Sequence, residues 1–157
     1  MRADDFQKFL LKSAVTVMAC DGEIDKDEIQ EIQSMADNEI YFLGFDISDT
    51  LRSNINYIKE NGTKAVNEYL SSLEKASLNP SQELLLIEVL IRTIEADKKV
   101  DEAEVKFLQL VKSKLTTSEE TIITNFPKQI NYLIDFNNYG LHEEFTGQIE
   151  FKGEEKG

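Results

Sequence analysis

The residues of this chain whose types and spacing could do chemistry are acidic, and they fall in two short windows. Asp21, Glu23, Asp25 and Glu28 occupy the first, and Asp97, Asp101 and Glu104 stand 76 residues after Asp21, Asp25 and Glu28. Carboxylate oxygens are hard ligands, so such clusters suit Ca²⁺ or Mg²⁺, weakly bound, with water completing the shell. Paired carboxylates can also exchange protons as general acid and base. A third use is structural. An Asp in front of a helix accepts its first free N–H groups, and a Glu three places on can close a capping box. Asp25 with Glu28, and Asp101 with Glu104, have that spacing and are expected to cap helices whatever else they do. Asp21 and Asp97 fit this explanation less well, because each ends a helix, where the macrodipole disfavours an anion. A bound cation, a basic partner side chain or an Asx-type turn would each account for them.

The two windows are not equal. Asp21, Glu23, Asp25, Asp27 and Glu28 are opposed only by Lys26, whereas Asp97, Asp101, Glu102 and Glu104 face Lys98 and Lys99. Gly22 also lets the first turn bend its backbone carbonyls inward. A divalent cation is therefore expected at the first turn before the second, on Asp21 and Glu23 with Glu28 or a backbone oxygen. The site is not an EF-hand: its first and third ligand positions would be Val17 and Ala19, both apolar.

Helices must position these turns. Phe6, Leu10, Ala14, Val17 and Met18 recur at helical spacing up to Asp21-Gly22, and Ile29, Ile32, Met35 and Ala36 continue it after Asp25. An aromatic connector, Tyr41 to Phe45, leads to helices carrying Leu51, Ile55 and Ile58, then Val66, Tyr69, Leu70 and Leu73. Asp46 or Ser48 and Thr63 are candidate caps for them. Asn79-Pro80 opens a helix that is apolar on almost every side through Leu84–Ile91, the mark of a central element. Asp101 opens the next, with Val105, Leu108, Val111 and Leu115 inside. Thr117 or Ser118 can cap a shorter one that Pro127 ends. The windows share the pattern D-x-x-[IV]-D-x-x-E-[IV]-x-x-[IL], with Ile24 and Val100 as apolar staples before the caps. The reading is an all-α chain of about seven helices with two pseudo-symmetric hairpin repeats, at about 4–40 and 80–116. One domain runs over 1–139. An acidic, weakly ordered tail follows at 140–157, with room for one short strand at 148–151.

A chain of 157 residues carrying a formal charge of −13 narrows the partners. Such a surface repels nucleic acid and anionic lipid, and favours cations and basic protein surfaces. Cys20 is the only cysteine, which excludes an internal disulfide and a thiolate zinc site and suits a reducing compartment. At a helix end beside Asp21 it is expected to be an inert core thiol. His142 is the only histidine and falls in the tail, so a histidine-based triad or metal centre is not expected. The start of the sequence has two acids where a signal peptide needs a basic and then an apolar stretch, and no run is long enough to span a bilayer, so a cytoplasmic protein is expected.

The sequence resembles the TerB-like tellurite-resistance family over roughly residues 5 to 125. Ala19, Asp21, Gly22, Ile24, Asp25 and Glu28 carry the resemblance in the first copy, and Ala96, Asp97, Val100, Asp101 and Glu104 in the second. It implies an all-α fold of about seven helices with pseudo-twofold symmetry. It also implies acidic turns able to hold a divalent cation, and a role in metal or chemical stress. Related modules are fused to varied partners, including a DnaJ-type co-chaperone, so a sensor or scaffold role travels with the family. The chain departs from the pattern at Lys98 and Lys99, which replace the Gly-Glu of the first turn and bring two ammonium groups beside Asp97 and Asp101.

The expected function is thus that of a non-enzymatic module that binds a divalent cation at its acidic turn. The alternatives are a metal-independent module that docks a basic partner through its acidic face, and a carboxylate-based hydrolase.

Overall fold

A computed structural model describes residues 2–97, 99–134, 145, 149 and 151. Among these residues the structure is helical throughout, with no strand. α1 (Ala3–Ala19) and α2 (Lys26–Asn38) flank the first acidic turn. α3 (Ser48–Asn61) and α4 (Thr63–Glu74) follow a short 3₁₀ turn at Ile40–Phe42. α5 (Pro80–Ile94) and α6 (Glu102–Ser113) flank the second acidic turn, and α7 (Glu119–Asn125) and α8 (Ile130–Leu133) close the described part.

Helix starts follow from local chemistry. Asn79 and Gln82 close a reciprocal capping box ahead of Pro80, whose missing N–H costs nothing in a first turn. Ser118 accepts the N–H of Thr121 and caps α7. Two starts differ from the sequence reading. Thr63 lies inside α4, and the cap position is taken by Gly62, whose φ of +53° lets α3 and α4 join through one residue. Asp46 accepts the N–H of Ser48 across Ile47, so the cap of α3 is offset by one residue from its helix boundary.

α5 is the central element, as its all-round apolar character requires, and packs against α1, α2 and α6. Leu86, Ile87, Val89, Leu90 and Ile94 are fully buried in it, each worth roughly 1.5–3 kcal/mol of transfer free energy. α1 lies against α5 with Leu10, Leu11, Val17 and Met18 buried. Tyr69 of α4 fills the space between Phe9 and Phe107, at ring centroid separations of 5.3 and 5.6 Å, and its hydroxyl is hydrogen-bonded to Ser13. Among the described residues no helix is long and apolar enough to cross a membrane.

The loop from α6 to α7 is tied to α5 by a carboxylate that lacks for nothing. Glu83 accepts from the backbone N–H groups of Thr116 (3.0 Å) and Thr117 (2.8 Å) and from both threonine hydroxyls. Burial works to raise its pKa, but these donors outweigh burial and hold it below the usual carboxylate range.

Past residue 139, where the sequence reading ends the domain, Phe145 is buried. Its backbone is clamped by the amide of Asn67 in both directions (2.7 and 2.9 Å), and Lys106 stands over its ring. Ile149 and Phe151 also pack on the core. His142, Lys98 and most of 140–157, including Gln148 and Glu150 of the expected strand, lie outside the described residues.

Candidate functional site

The first turn forms because α1 runs out of helix at Cys20 and Gly22, at φ +82°, reverses the chain. The amide of Gly22 donates to Ala19 O, and the Asp21 carboxylate accepts the N–H of Glu23 at 2.9 Å. The second turn carries the same bond: Asp97 accepts the N–H of Lys99 at 3.0 Å. Both aspartates thus make Asx turns. Asp25 caps α2 by accepting from Asp27 N (2.7 Å) and Glu28 N (3.4 Å), and Asp101 caps α6 by accepting from Ala103 N (2.8 Å).

The glutamates do not behave alike. Glu104 closes its box, with Oε1 accepting the N–H of Asp101 at 3.4 Å. Glu28, expected to do the same at Asp25, does not: neither of its oxygens finds a donor. It turns inward to meet Glu104, and both side chains are only 1% exposed. Val100 is 38% exposed, so the second apolar staple is also open, while Ile24 packs on the core as expected.

Two windows far apart in sequence therefore form one cluster. Glu28 and Glu104 are in contact, and Asp21, Asp97 and Asp101 lie close enough to repel them or one another. Glu23 is exposed and adds to the charge at its neighbour Asp21, and Asp25 is occupied by its cap. Burial, first, raises the pKa of both glutamates; contact with Glu104 and the charges of Asp21 and Asp97 add to the rise in Glu28, whereas in Glu104 the contact with Glu28 works against it and Asp21 and Asp97 add to it. Burial also pushes Asp21 up to about 6, against the N–H of Glu23, with Asp101, Glu23 and Asp97 adding to the rise. Cys20 beneath them is buried, donates to Thr16 O at 3.3 Å, and has its thiol pKa pushed well up by burial and then by Glu104 and Asp21. It is a buried core thiol, as its position implied.

Two ionised carboxylates can only accept, so the Glu28–Glu104 contact needs a proton, a cation or water between them. Three oxygens state the deficit: Glu28 Oε1, Glu28 Oε2 and Glu104 Oε2 are buried without a partner. That chemistry fits a hard cation, but the side chains supply only part of its shell. Among the described residues no three His, Cys, Asp or Glu side chains stand together so as to hold a metal ion.

The match that decides the family covers this whole region: the family model for tellurite resistance protein TerB fits residues 9–125. The chain belongs to the TerB family. No curated protein matches it, and no solved structure does. Both acidic turns and all of α2 to α6 fall inside the TerB match, whereas Phe145, Ile149 and Phe151 lie beyond it.

A second polar cluster in this TerB domain escaped the sequence reading. Arg92 of α5 pairs with Glu31 of α2 (2.8 Å) and Glu39 (2.7 Å), and its guanidinium also donates to Tyr41, whose hydroxyl donates to Glu88 at 3.1 Å. The signal available was a lone basic residue in a helix that is mostly apolar, which must find anions or reach water.

Proposed function

We propose that this TerB-family chain is a non-enzymatic helical module that takes one divalent cation between its two acidic turns and serves as a sensor or scaffold in a metal or stress response. The observation that carries the reading is the set of three buried, donorless oxygens on Glu28 and Glu104. Leaving such groups unsatisfied costs about 1–3 kcal/mol each, so something must compensate them. Glu28 and Glu104 are the inner ligands, Asp21 and Asp97 stand beside them, and Asp25 and Asp101 remain caps. With so few protein oxygens, water completes most of the shell, which suits weakly held Ca²⁺ or Mg²⁺. The ion would replace the missing donor and brace α2 against α6. At 1% exposure the two glutamates offer a substrate almost no surface, which favours binding over catalysis.

Isothermal titration of the full chain with CaCl₂ and with MgCl₂, alongside amide NMR, tests this. Saturable binding should shift amides in both turns together, and Glu28→Gln and Glu104→Gln should each abolish it. No heat and no shift at roughly millimolar cation, the weak end of calcium sites, would sink it. A shared proton alone would then satisfy the pair, leaving a metal-independent module that docks a basic partner through its acidic surface.

A further inference from the structure

The connector between α2 and α3 puts large apolar side chains where water reaches them. Ile40 is 82% exposed and Leu43 74%, the two most exposed large apolar residues described. One such residue means little, but here both rim a groove of about 620 Å³ floored by Phe42 and Phe45. Fraying does not explain the exposure, because the connector is pinned at every step. Phe42, Leu43 and Phe45 each donate a backbone N–H three residues back, and Gly44 makes the reversal at φ +80°. Gln7 of α1 donates to Leu43 O at 2.9 Å, and Arg92 holds Glu39 and Tyr41 from behind. The apolar pair is displayed from a rigid base, which lowers the ordering cost of binding.

The groove's charge selects its occupant. Asp37 and Asp46 stand exposed on its rim, and among the described residues that line it none is basic. A second copy of this chain, at −13, would bring acid against acid, and nucleic acid or anionic lipid is repelled in the same way. We propose that this groove docks a basic amphipathic helix of a partner protein. Two apolar residues one helical turn apart seat on Phe42 and Phe45 between Ile40 and Leu43, and flanking Lys or Arg meet Asp37 and Asp46. The proposal does not depend on the cation reading, since none of the groove residues belongs to the carboxylate cluster.

The test uses the full chain in EDTA and a fluorescein-labelled leucine–lysine peptide patterned as an amphipathic helix, with a leucine–glutamate peptide as control. Anisotropy should show saturable binding of the cationic peptide only, with amide shifts centred on residues 36–46. The double variant Ile40→Ser with Leu43→Ser, both at exposed positions, should weaken it by about tenfold or more, the effect of losing a central anchor. Asp37→Asn with Asp46→Asn should flatten its salt dependence. Unchanged affinity in the Ile40/Leu43 variant, with shifts spread over other acidic faces, would reduce the effect to general charge attraction and overturn the proposal. So would absence of binding, or self-association that the same variant abolishes, since the groove would then belong to a second copy.

Discussion

The two acidic turns are written in nearly the same letters, and they differ in what their glutamates bond to. Both carry an Asx turn, at Asp21 and Asp97, and both carry an Asp cap, at Asp25 and Asp101. At the second turn Glu104 reaches back to the Asp101 amide; at the first, Glu28 leaves the Asp25 amide alone. The difference teaches that D-x-x-E states what a glutamate can do locally, not what it does once a like residue faces it. Of the two, Glu104 already has an N–H to favour its charge, whereas Glu28 has none. With no cation bound, a proton shared by the pair would therefore sit on Glu28 and be donated to Glu104. Burial raises the pKa of both, and the same contact adds to the rise in Glu28 and works against it in Glu104.

The largest expected effect follows from that assignment. Glu28→Gln keeps a donor aimed at Glu104 and cannot ionise, so at pH 8 without added cation it should stabilise the fold by about 1–3 kcal/mol. The sign follows from linkage. A carboxyl whose pKa is raised by folding holds its proton more tightly in the native state, so stability is greatest below the ordinary glutamate pKa and falls as pH rises toward the folded value. Urea melts of wild type should show this decline above about pH 4.3, and the variant should lose much of it. A Glu28→Gln protein less stable than wild type at pH 8 would mean that Glu28 is charged and compensated by an ion, and the shared proton would be wrong.

Caps come next. Asp101→Ala should cost about 1 kcal/mol, the usual value for losing an Asp cap. Asp25→Ala should cost about as much, because each substitution removes a side-chain acceptor from a helix start and leaves in place the backbone N–H that Glu104 accepts at the second turn. Thermal melts of the two variants check this, and a much larger loss at Asp101 would show that the closed box depends on its cap.

Much of this architecture was legible before any coordinates. Helical spacing gave α1, α2, α5 and α6, and the Asp caps gave the starts of α2 and α6 to the residue. The all-round apolar run at Leu84–Ile91 marked the central helix, because such a surface can be hidden only by neighbours on every side. The meeting of Glu28 with Glu104 was not legible. Nothing in either window says that the turns converge; that depends on how α1 and α5 pack, which is tertiary. Spacing therefore reads both glutamates as closing boxes, which Glu104 does and Glu28 does not. Phe145 was lost for a related reason: acidic and glycine-rich surroundings hid one aromatic that α4 and Asn67 could seat.

The smallest effect is the most informative about whether the two turns act as one cluster. Asp97 stands in the turn just after α5, accepts the N–H of Lys99 through Oδ1, and adds to the charge felt by Asp21, Glu28 and Glu104. In Asp97→Asn the amide oxygen can keep the Lys99 bond, while the anion leaves both the helix C-terminus and the cluster. Removing a charge from an unfavourable helix end gains about 0.3–1 kcal/mol, so melts should show no loss and a small gain. The sharper reading comes from the other turn. Asp21 titrates near 6 partly because of Asp97, so carboxyl NMR of Asp97→Asn should find Asp21 titrating at lower pH although it is 76 residues away in sequence. Burial, the largest cause, is untouched, so Asp21 should stay above the ordinary aspartate range. An Asp21 titration that does not move would separate the turns and leave the Glu28–Glu104 contact as their only link. A marked destabilisation would show instead that the Asp97 carboxylate is neutralised by a positive group of its own.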